Sequence, residues 1–181
     1  LKSGLPVGKM GRIGLAVSPV NSNYVYAILE AEEGKGGFFK STDKGESWKK
    51  QSDYKTSGNY YQEIICDTRD VNKVFSMNTW LHHTEDGGKT FKKTGEKSKH
   101  VDNHCIWINP QDPNHWIVGC DGGVYETYDH AENWQWMSHL PLVQFYKVAL
   151  DNDYPFYNVY GGTQDNNSVG GPSRTLNNAG I

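Results

Sequence analysis

The chain lacks the features that mark several common protein classes. Its 181 residues include only three cysteines, Cys66, Cys105 and Cys120, and no CxxC spacing, so neither a zinc site nor a full set of disulfides is indicated. No apolar run approaches the roughly 18 residues of a membrane-spanning helix. A net charge of -3 provides no basic surface for nucleic acid or anionic membranes. The sequence therefore predicts no membrane span, nucleic-acid partner, metal or cofactor, and it predicts cysteines that act as small buried hydrophobic residues.

Glycine and aromatic residues are abundant, and a short polar motif recurs. The chain has 20 glycines and 13% aromatic residues, which is typical of a turn-rich β protein. The segments STDKGESW, TEDGGKTF and TYDHAENW begin at residues 41, 84 and 127, each 43 residues after the one before. A repeat of this length occurs in propeller blades and in helical repeats. We call the three motifs boxes. The residues between them are rich in β-forming types, which favours a propeller.

Each repeat shows the same order of predicted strands. An apolar β-rich run is followed by a turn rich in Asn, Asp and Pro, an aromatic second strand, a third strand that enters the box and a fourth that leaves it. Four antiparallel strands per repeat describe a propeller blade whose first strand lines the central axis. The predicted segments are the end of an earlier blade, three blades with one box each, and the start of a further blade: 1–11, 12–54, 55–97, 98–140 and 141–181.

The box itself predicts the hairpin between the third and fourth strands. Its aspartates accept backbone N–H bonds across the turn, its glycines supply a positive φ, and its aromatic residues begin the outer strand and pack between neighbouring sheets. This turn explains all the residue types, so a catalytic or calcium-binding role is not favoured. The structural residues are Asp43, Gly45, Trp48, Asp86, Gly88, Phe91, Asp129 and Trp134.

The third box departs from the pattern because Ala131 stands where the other copies have glycine. A residue with a Cβ at positive φ costs about 1 kcal/mol. We therefore expect the turn of the third box to be rearranged.

The boxes resemble the Asp-box, or BNR, repeat of sialidases, xyloglucanase-like glycoside hydrolases and sortilin-type receptors. The stretches GRIGLAVSP, DGGVYETYD and YGGTQDN resemble secreted bacterial proteins of the sortilin-like or glycosyl-hydrolase-like BNR type. The resemblance implies a propeller of six to eight blades and a secreted, periplasmic or cell-surface location. It is specific for the fold and weak for function, because one architecture carries hydrolases, lectins and peptide receptors.

Three complete blades with partial blades at both ends would leave sheet edges unpaired. The sequence thus predicts a fragment of a longer propeller, with the remaining blades or another subunit as partners. Closure by four blades, or pairing of two copies, is the alternative.

Propeller geometry places the functional surface on the face opposite the boxes, where the blade-to-blade links and the loops between second and third strands lie. Aromatic planes beside amides and carboxylates suit a sugar or a peptide. The predicted ligand-binding residues are Tyr60, Tyr61, Trp80, Asp102, His104, Gln164, Asp165 and Asn166. The competing interpretation of the three aromatic residues is packing between blades. The competing interpretation of residues 164–166 is a simple turn.

Two functions remain open. The first is a non-catalytic extracytoplasmic module that binds glycans or peptides. The second is a glycoside hydrolase, which needs two carboxylates roughly 5 to 9.5 Å apart. The candidate acids are Glu63, Asp102, Asp121 and Asp165, of which Asp121 also fits a simple turn. A sialidase is disfavoured because its arginine triad has few candidates: the arginines are Arg12, Arg69 and Arg174, and Arg69 falls on the box face.

Overall fold

The computed structural model describes residues 3–140, 145–163 and 167–174, and the chain divides into two compact units after Ser138. The first unit consists of three four-stranded antiparallel sheets, each with its strands in chain order. The only helical segment in the described residues is a short 3₁₀ turn, Glu32–Gly34. The predicted fold class, an all-β propeller of four-stranded antiparallel blades, is confirmed.

The strands of the first blade are β1 (Met10–Val17), β2 (Val25–Ala31), β3 (Gly37–Ser41) and β4 (Lys49–Ser52). Those of the second are β5 (Ile64–Cys66), β6 (Val74–Ser76), β7 (His82–Thr84) and β8 (Lys92–Lys93). Those of the third are β9 (Asn103–Ile108), β10 (Trp116–Cys120), β11 (Gly123–Thr127) and β12 (Gln135–Trp136). The described residues contain no helix long and apolar enough to cross a lipid bilayer.

The second unit contains a three-stranded antiparallel sheet in its described residues. Its strands are β13 (Phe145–Leu150), β14 (Asn158–Thr163) and β15 (Ser168–Pro172), in that order. Asp151 joins the first two strands by accepting bonds from the backbone N–H and the side-chain amide of Asn158, at 2.7 and 2.8 Å. These bonds lower the pKa of Asp151 to about 2.

The core of the first unit lies between blades. Because side chains alternate along a strand, each inner sheet has two packing faces. Between the first and second blades the buried residues are Tyr26, Ile28, Phe38, Ile64, Cys66 and Val74. Between the second and third blades they are Phe75, Met77, Leu81, Ile106, Ile108, Trp116, Val118 and Ala131. Each large side chain buried here contributes about 1.5–3 kcal/mol of transfer free energy.

Each box forms a turn closed by its own side chains. In the first box the Ser41 hydroxyl accepts the Gly45 N–H at 2.8 Å, and Asp43 Oδ1 accepts the Ser47 N–H at 2.9 Å. The second box repeats this with Thr84, Gly88, Asp86 and Thr90, at 2.9 and 3.0 Å. The third uses Thr127, Ala131, Asp129 and Asn133, at 3.2 and 2.9 Å. The turns thus use the predicted aspartates as acceptors for backbone N–H groups.

The third turn keeps the geometry of the others, so the expected rearrangement is wrong. Ala131 has a φ of 71°, compared with 89° at Gly45 and 96° at Gly88. A Cβ at Gly88 would lie 2.2 Å from the ring of Phe38 in the preceding blade. In the second blade the residue 43 positions after Phe38 is Leu81, which shares one buried cluster with Ala131. Leucine is smaller than phenylalanine, so we attribute the tolerance of a Cβ at Ala131 to this exchange, with the backbone strain as the remaining cost.

The box aromatic residues pack towards the preceding part of the chain. Trp48 belongs to a buried cluster against which Leu5 packs. Phe91 stacks on Tyr54 of the first blade with ring centroids 3.7 Å apart. Trp134 is half-buried, and its indole N–H donates to the Gly95 carbonyl at 2.9 Å. Trp48 is therefore largely buried as predicted, whereas Phe91 and Trp134 keep a partly open edge.

Candidate functional site

Hydrogen bonds separate the loops of the first unit into two faces. On the box face, the residue after each box aspartate donates its N–H to an asparagine carbonyl in the turn between the first and second strands, with Asn23, Asn72 and Asn114 as acceptors. On the opposite side, Asp102 donates its N–H to Thr79 O at 2.8 Å, and Asn103 to Asn78 O at 3.0 Å. Links and second-to-third-strand loops therefore meet on one side, which we call the link face.

Four predicted side chains meet on the link face and form what we call the polar cluster: Tyr61, Asp102, His104 and Asp121. The Tyr61 hydroxyl donates to Asp102 Oδ1 at 2.5 Å, across the boundary between the second and third blades. The rings of Tyr61 and His104 stack at 5.7 Å with planes 16° apart. His104 Nε2 bonds Asp121 Oδ1 at 2.9 Å, and the Asp121 N–H donates to Asp102 O.

The polar cluster combines a buried phenol with accessible carboxylates. Burial raises the pKa of the Tyr61 phenol, and its hydrogen bond to Asp102 raises it further. The side chains of His104 and Asp121 are 40% and 52% exposed, so a ligand can reach both. The cluster therefore presents carboxylate oxygens to solvent beside an imidazole ring that is nearly parallel to the buried Tyr61 ring.

Backbone strain surrounds the polar cluster. Gln62, Ser98 and Asp102 all have positive φ, at 85°, 62° and 62°. Such conformations cost about 1–3 kcal/mol for residues with side chains and persist only where the surrounding structure enforces them. Gln62 is also buried, and its carbonyl oxygen lies where a Cβ at Gly14 would approach within 1.7 Å. The left-handed backbone at Gln62, Ser98 and Asp102 is therefore part of how the links hold Tyr61 and Asp102 in place.

A buried charged group lies directly behind Asp102, and we call it the buried triad: Glu96, Lys99 and Asn103. The side chains of Lys99 and Glu96 are 0% and 3% exposed, with Nζ and Oε1 2.8 Å apart. Lys99 Nζ also donates to His100 O at 2.7 Å and to Asn103 Oδ1. Asn103 donates from Nδ2 to Glu96 Oε1, Asn78 O and Thr79 O. No sequence signal identifies this group, because Glu96 and Lys99 read as charges of a solvated loop.

Three other predicted residues, Glu63, Tyr60 and Trp80, also lie in the links and loops of the link face. Glu63 forms a salt bridge with Arg12 of β1 at 3.2 Å. The sequence left open whether Tyr60 and Trp80 pack between blades. Tyr60 is 72% exposed and Trp80 44% exposed, so packing between blades does not describe them. Lys93 lies over the Trp80 ring, 4.3 Å from its centroid. The predicted residues Gln164, Asp165 and Asn166 lie outside the described residues.

The cross-blade partner of Asp102 is the Tyr61 phenol, whereas His104 and Asp121 belong to one blade. The prediction for the cysteines needs correction. The three cysteines are free, and only Cys66 is buried. Cys105 is exposed because it points away from the packed face of β9, so the prediction of buried cysteines holds for Cys66 alone.

Within the described part of the chain, no three His, Cys, Asp or Glu side chains are grouped so as to hold a metal ion. The chemistry that the polar cluster itself offers is hydrogen-bond acceptance by two carboxylates and contact with an imidazole ring.

Comparisons with known proteins extend the fold assignment. No protein-family model and no curated protein sequence matches the chain. Among solved structures it is similar to the GH74 enzyme of Niastella koreensis, with TM-score 0.62 and 18% identity over 82% of this chain and 25% of that one. The GH74 xyloglucanase of Xanthomonas campestris gives TM-score 0.57 and 14% identity, over 88% and 28%.

A third similar structure is YCF48 bound to D1 peptide, with TM-score 0.51 and 15% identity over 89% of this chain and 55% of that one. The chain thus spans about a quarter of the length of the GH74 structures and about half of YCF48. At these identities the likeness shows the β-propeller fold alone.

Proposed function

We propose that the chain belongs to a ligand-binding β-propeller of the Asp-box type and that its link face binds a glycan or a peptide. The observation that carries the proposal is the polar cluster, in which Tyr61 fixes Asp102 across a blade boundary and His104 orients Asp121. An aromatic ring beside oriented carboxylates suits a hydroxylated ring or a peptide side chain. The structural similarity to GH74 and YCF48 propellers supports both ligand classes.

The charge of the polar cluster narrows the ligand chemistry. Asp102 and Asp121 supply acceptors, and the Tyr61 hydroxyl already donates to Asp102. The nearby guanidinium of Arg12 is paired with Glu63, and the Lys99 ammonium is buried. A ligand that brings donors, such as sugar hydroxyls or a peptide ammonium or guanidinium group, therefore matches this surface better than an acidic sugar or a phosphate.

The proposal is tested with a glycan array and a peptide array probed in parallel with the full-length protein. Neutral glycans or basic peptides should bind, and Asp102→Asn should weaken the binding. Asp43→Asn is the matched control, because it makes the same change in a box turn on the other face. Loss of binding in the folded Asp43 variant and not in the Asp102 variant would show that the ligand binds the box face, and it would contradict the proposal.

A glycoside hydrolase is the second candidate, favoured by two carboxylates in one cluster and by the two GH74 neighbours. In that case one carboxyl group protonates the glycosidic oxygen and the other acts as base or nucleophile. A panel of chromogenic glycosides separates the two functions, since turnover that disappears in both Asp102→Asn and Asp121→Asn identifies hydrolysis. Binding without turnover identifies the non-catalytic module.

Further blades of a longer chain, or another subunit, remain the proposed structural partners. Ile13, Leu15 and Val17 point to one face of β1 and are 43%, 57% and 57% exposed, which supports a covering sheet on this strand. An extracytoplasmic location also remains a proposal and rests on the sequence resemblance. Sedimentation and thermal unfolding of the 20.4 kDa chain test the partner prediction. A stable monomer that unfolds cooperatively contradicts it.

A further inference from the structure

We infer that the buried triad of Glu96, Lys99 and Asn103 is the positioning element that holds Asp102 in its strained conformation and directs its carboxylate to Tyr61. The inference deepens the proposed function and rests on it for the ligand, although the positioning itself is measurable without one.

Burial of the two charges of the triad is unfavourable on its own. Removing an ammonium and a carboxylate from water carries a desolvation penalty of several kcal/mol per ion, and buried ion pairs are often no more stabilising than apolar residues of similar volume. The Lys99 side chain is fully buried, yet all three of its ammonium hydrogens have acceptors, on Glu96, His100 and Asn103. A group satisfied so completely constrains geometry strongly.

The triad is hydrogen-bonded to a loop of the neighbouring second blade. The Asn103 side chain donates to the carbonyls of Asn78 and Thr79, and its backbone N–H donates to Asn78 as well. Glu96 Oε2 accepts the Leu81 N–H at 3.1 Å. Through these bonds the triad joins the link before the third blade to the loop between β6 and β7 in the second blade.

Asp102 is the member of the polar cluster that lies next to the triad in the chain. Its N–H donates to Thr79 O, and its neighbour Asn103 is clamped by Lys99 and Glu96. Thr79 Oγ1 in turn lies 3.2 Å from the Tyr61 hydroxyl. The loop residue Thr79 is thus bonded to Asp102, to Asn103 and to Tyr61, so the triad fixes both partners of the cross-blade contact.

Strain at neighbouring residues agrees with this role. Ser98, next to Lys99, and Asp102, next to Asn103, both have a φ of 62°. Left-handed backbone in residues with side chains is retained where surrounding contacts over-determine it, and it clusters at sites of function. Ion pairing, strain and cross-blade bonding therefore coincide within residues 96–103, next to the exposed carboxylates.

The test compares the full chain with Lys99→Met/Glu96→Gln, which removes both buried charges and approximately preserves side-chain volume. Exchange of the Asp102 amide hydrogen should accelerate at least about tenfold, because opening of this segment becomes easier. The Tyr61 phenol, assigned by Tyr61→Phe in carbon NMR spectra of labelled tyrosine, should titrate at lower pH than in the parent chain. Neither measurement requires a ligand.

Two further variants keep the result interpretable. Asn103→Ala retains the ion pair and removes the clamp, so it should show the same changes even if the double variant fails to fold. Lys50→Met breaks the exposed ion pair of Lys50 and Asp53, which has the same spacing as Lys99 and Glu96, and it should leave both signals unchanged.

The outcomes separate the positioning role from the proposed function. Unchanged Asp102 exchange and Tyr61 titration in a folded triad variant overturn the inference. Changed signals without any ligand in the arrays support positioning and count against the proposed function. With a ligand in hand, the triad variants should bind it about tenfold more weakly, whereas a purely structural role predicts lower stability with the affinity of the folded fraction unaltered.

Discussion

The box turns and the polar cluster both combine an aspartate with left-handed backbone, at Lys44 after Asp43 and at Asp102 itself, but they obtain their hydrogen bonds from different distances along the chain. Asp43 bonds to Ser41 and Ser47, within the first box. Asp102 is bonded by Tyr61, 41 residues earlier, and exists in this arrangement only when two blades are docked. The box is therefore a local structure that stabilises the fold, whereas the polar cluster is a product of the fold.

The largest expected effect lies on the box side. Gly88→Ala should lower the free energy of unfolding by about 2–5 kcal/mol, because it combines left-handed strain of about 1–2 kcal/mol with overpacking of about 1–3 kcal/mol against Phe38. Gly45→Ala is the control, since its Cβ would lie 3.4 Å from Trp48 and only the strain of about 1 kcal/mol applies. Urea denaturation measures both, and equal losses would show that Phe38 moves aside.

The next effect concerns the link face. Asp102→Asn should reduce ligand affinity about ten- to a hundredfold, the scale of one or two charge-assisted hydrogen bonds at about 1.5–3 kcal/mol each. Asp43→Asn should lower stability and leave affinity unchanged. Titration calorimetry with the ligand from the arrays measures the difference. If both variants bind like the parent chain, Asp102 does not contact the ligand. The same loss is expected of Asp165→Asn.

A third effect follows from the pKa values of the box aspartates. Hydrogen bonds from Ser47 lower the pKa of Asp43 to about 2, and those from Asn133 do the same for Asp129, against an ordinary value of 3.8. Carboxylates with a lowered pKa in the folded state stabilise it fully above pH 3.8, and the contribution is lost as the pH falls through about 2. Urea midpoints measured between about pH 5 and pH 2 should therefore decline, and Asp43→Asn should decline less.

The smallest effect is expected at the third box. Ala131→Gly relieves left-handed strain of about 1 kcal/mol but removes a buried methyl group worth about 0.8 kcal/mol, so the free energy of unfolding should change by less than about 1 kcal/mol. Thermal or urea unfolding measures it beside Gly88→Ala. A large loss in Ala131→Gly would mean that the methyl group is needed to fill the space beside Leu81.

The repeat period and the box residues could be predicted because their causes lie within a few residues of each other. The geometry of the third turn could not be predicted from the box residues. Whether a turn tolerates a Cβ depends on a residue of the preceding blade, which is Phe38 for the second box and Leu81 at the corresponding position for the third. The members of the polar cluster could be named from residue type and loop position. Their contacts could not, because Tyr61 and Asp102 meet only after the blades pack.

The buried triad lay beyond sequence reasoning for a similar reason. Lys99 and Glu96 stand in a polar segment, and nothing in that segment distinguishes a buried lysine from a solvated one. Burial is decided by the loop of the second blade that covers them through Leu81 and Asn78. Cys105 shows the converse, since an apolar strand predicts burial although one side of β9 is exposed.

The position of the box aromatic residues has a consequence for synthesis on the ribosome. Phe91 of the second blade stacks on Tyr54 and meets the edge of Phe38, and both partners belong to segments made earlier. The apolar face of the first blade therefore stays partly open to solvent until residue 91 has left the exit tunnel. Proteins are made at about 5–20 residues per second, so each nascent blade waits several seconds for the next one to cover it. Translation speed and chaperone access during that interval decide whether the growing chain associates with itself or with a neighbour.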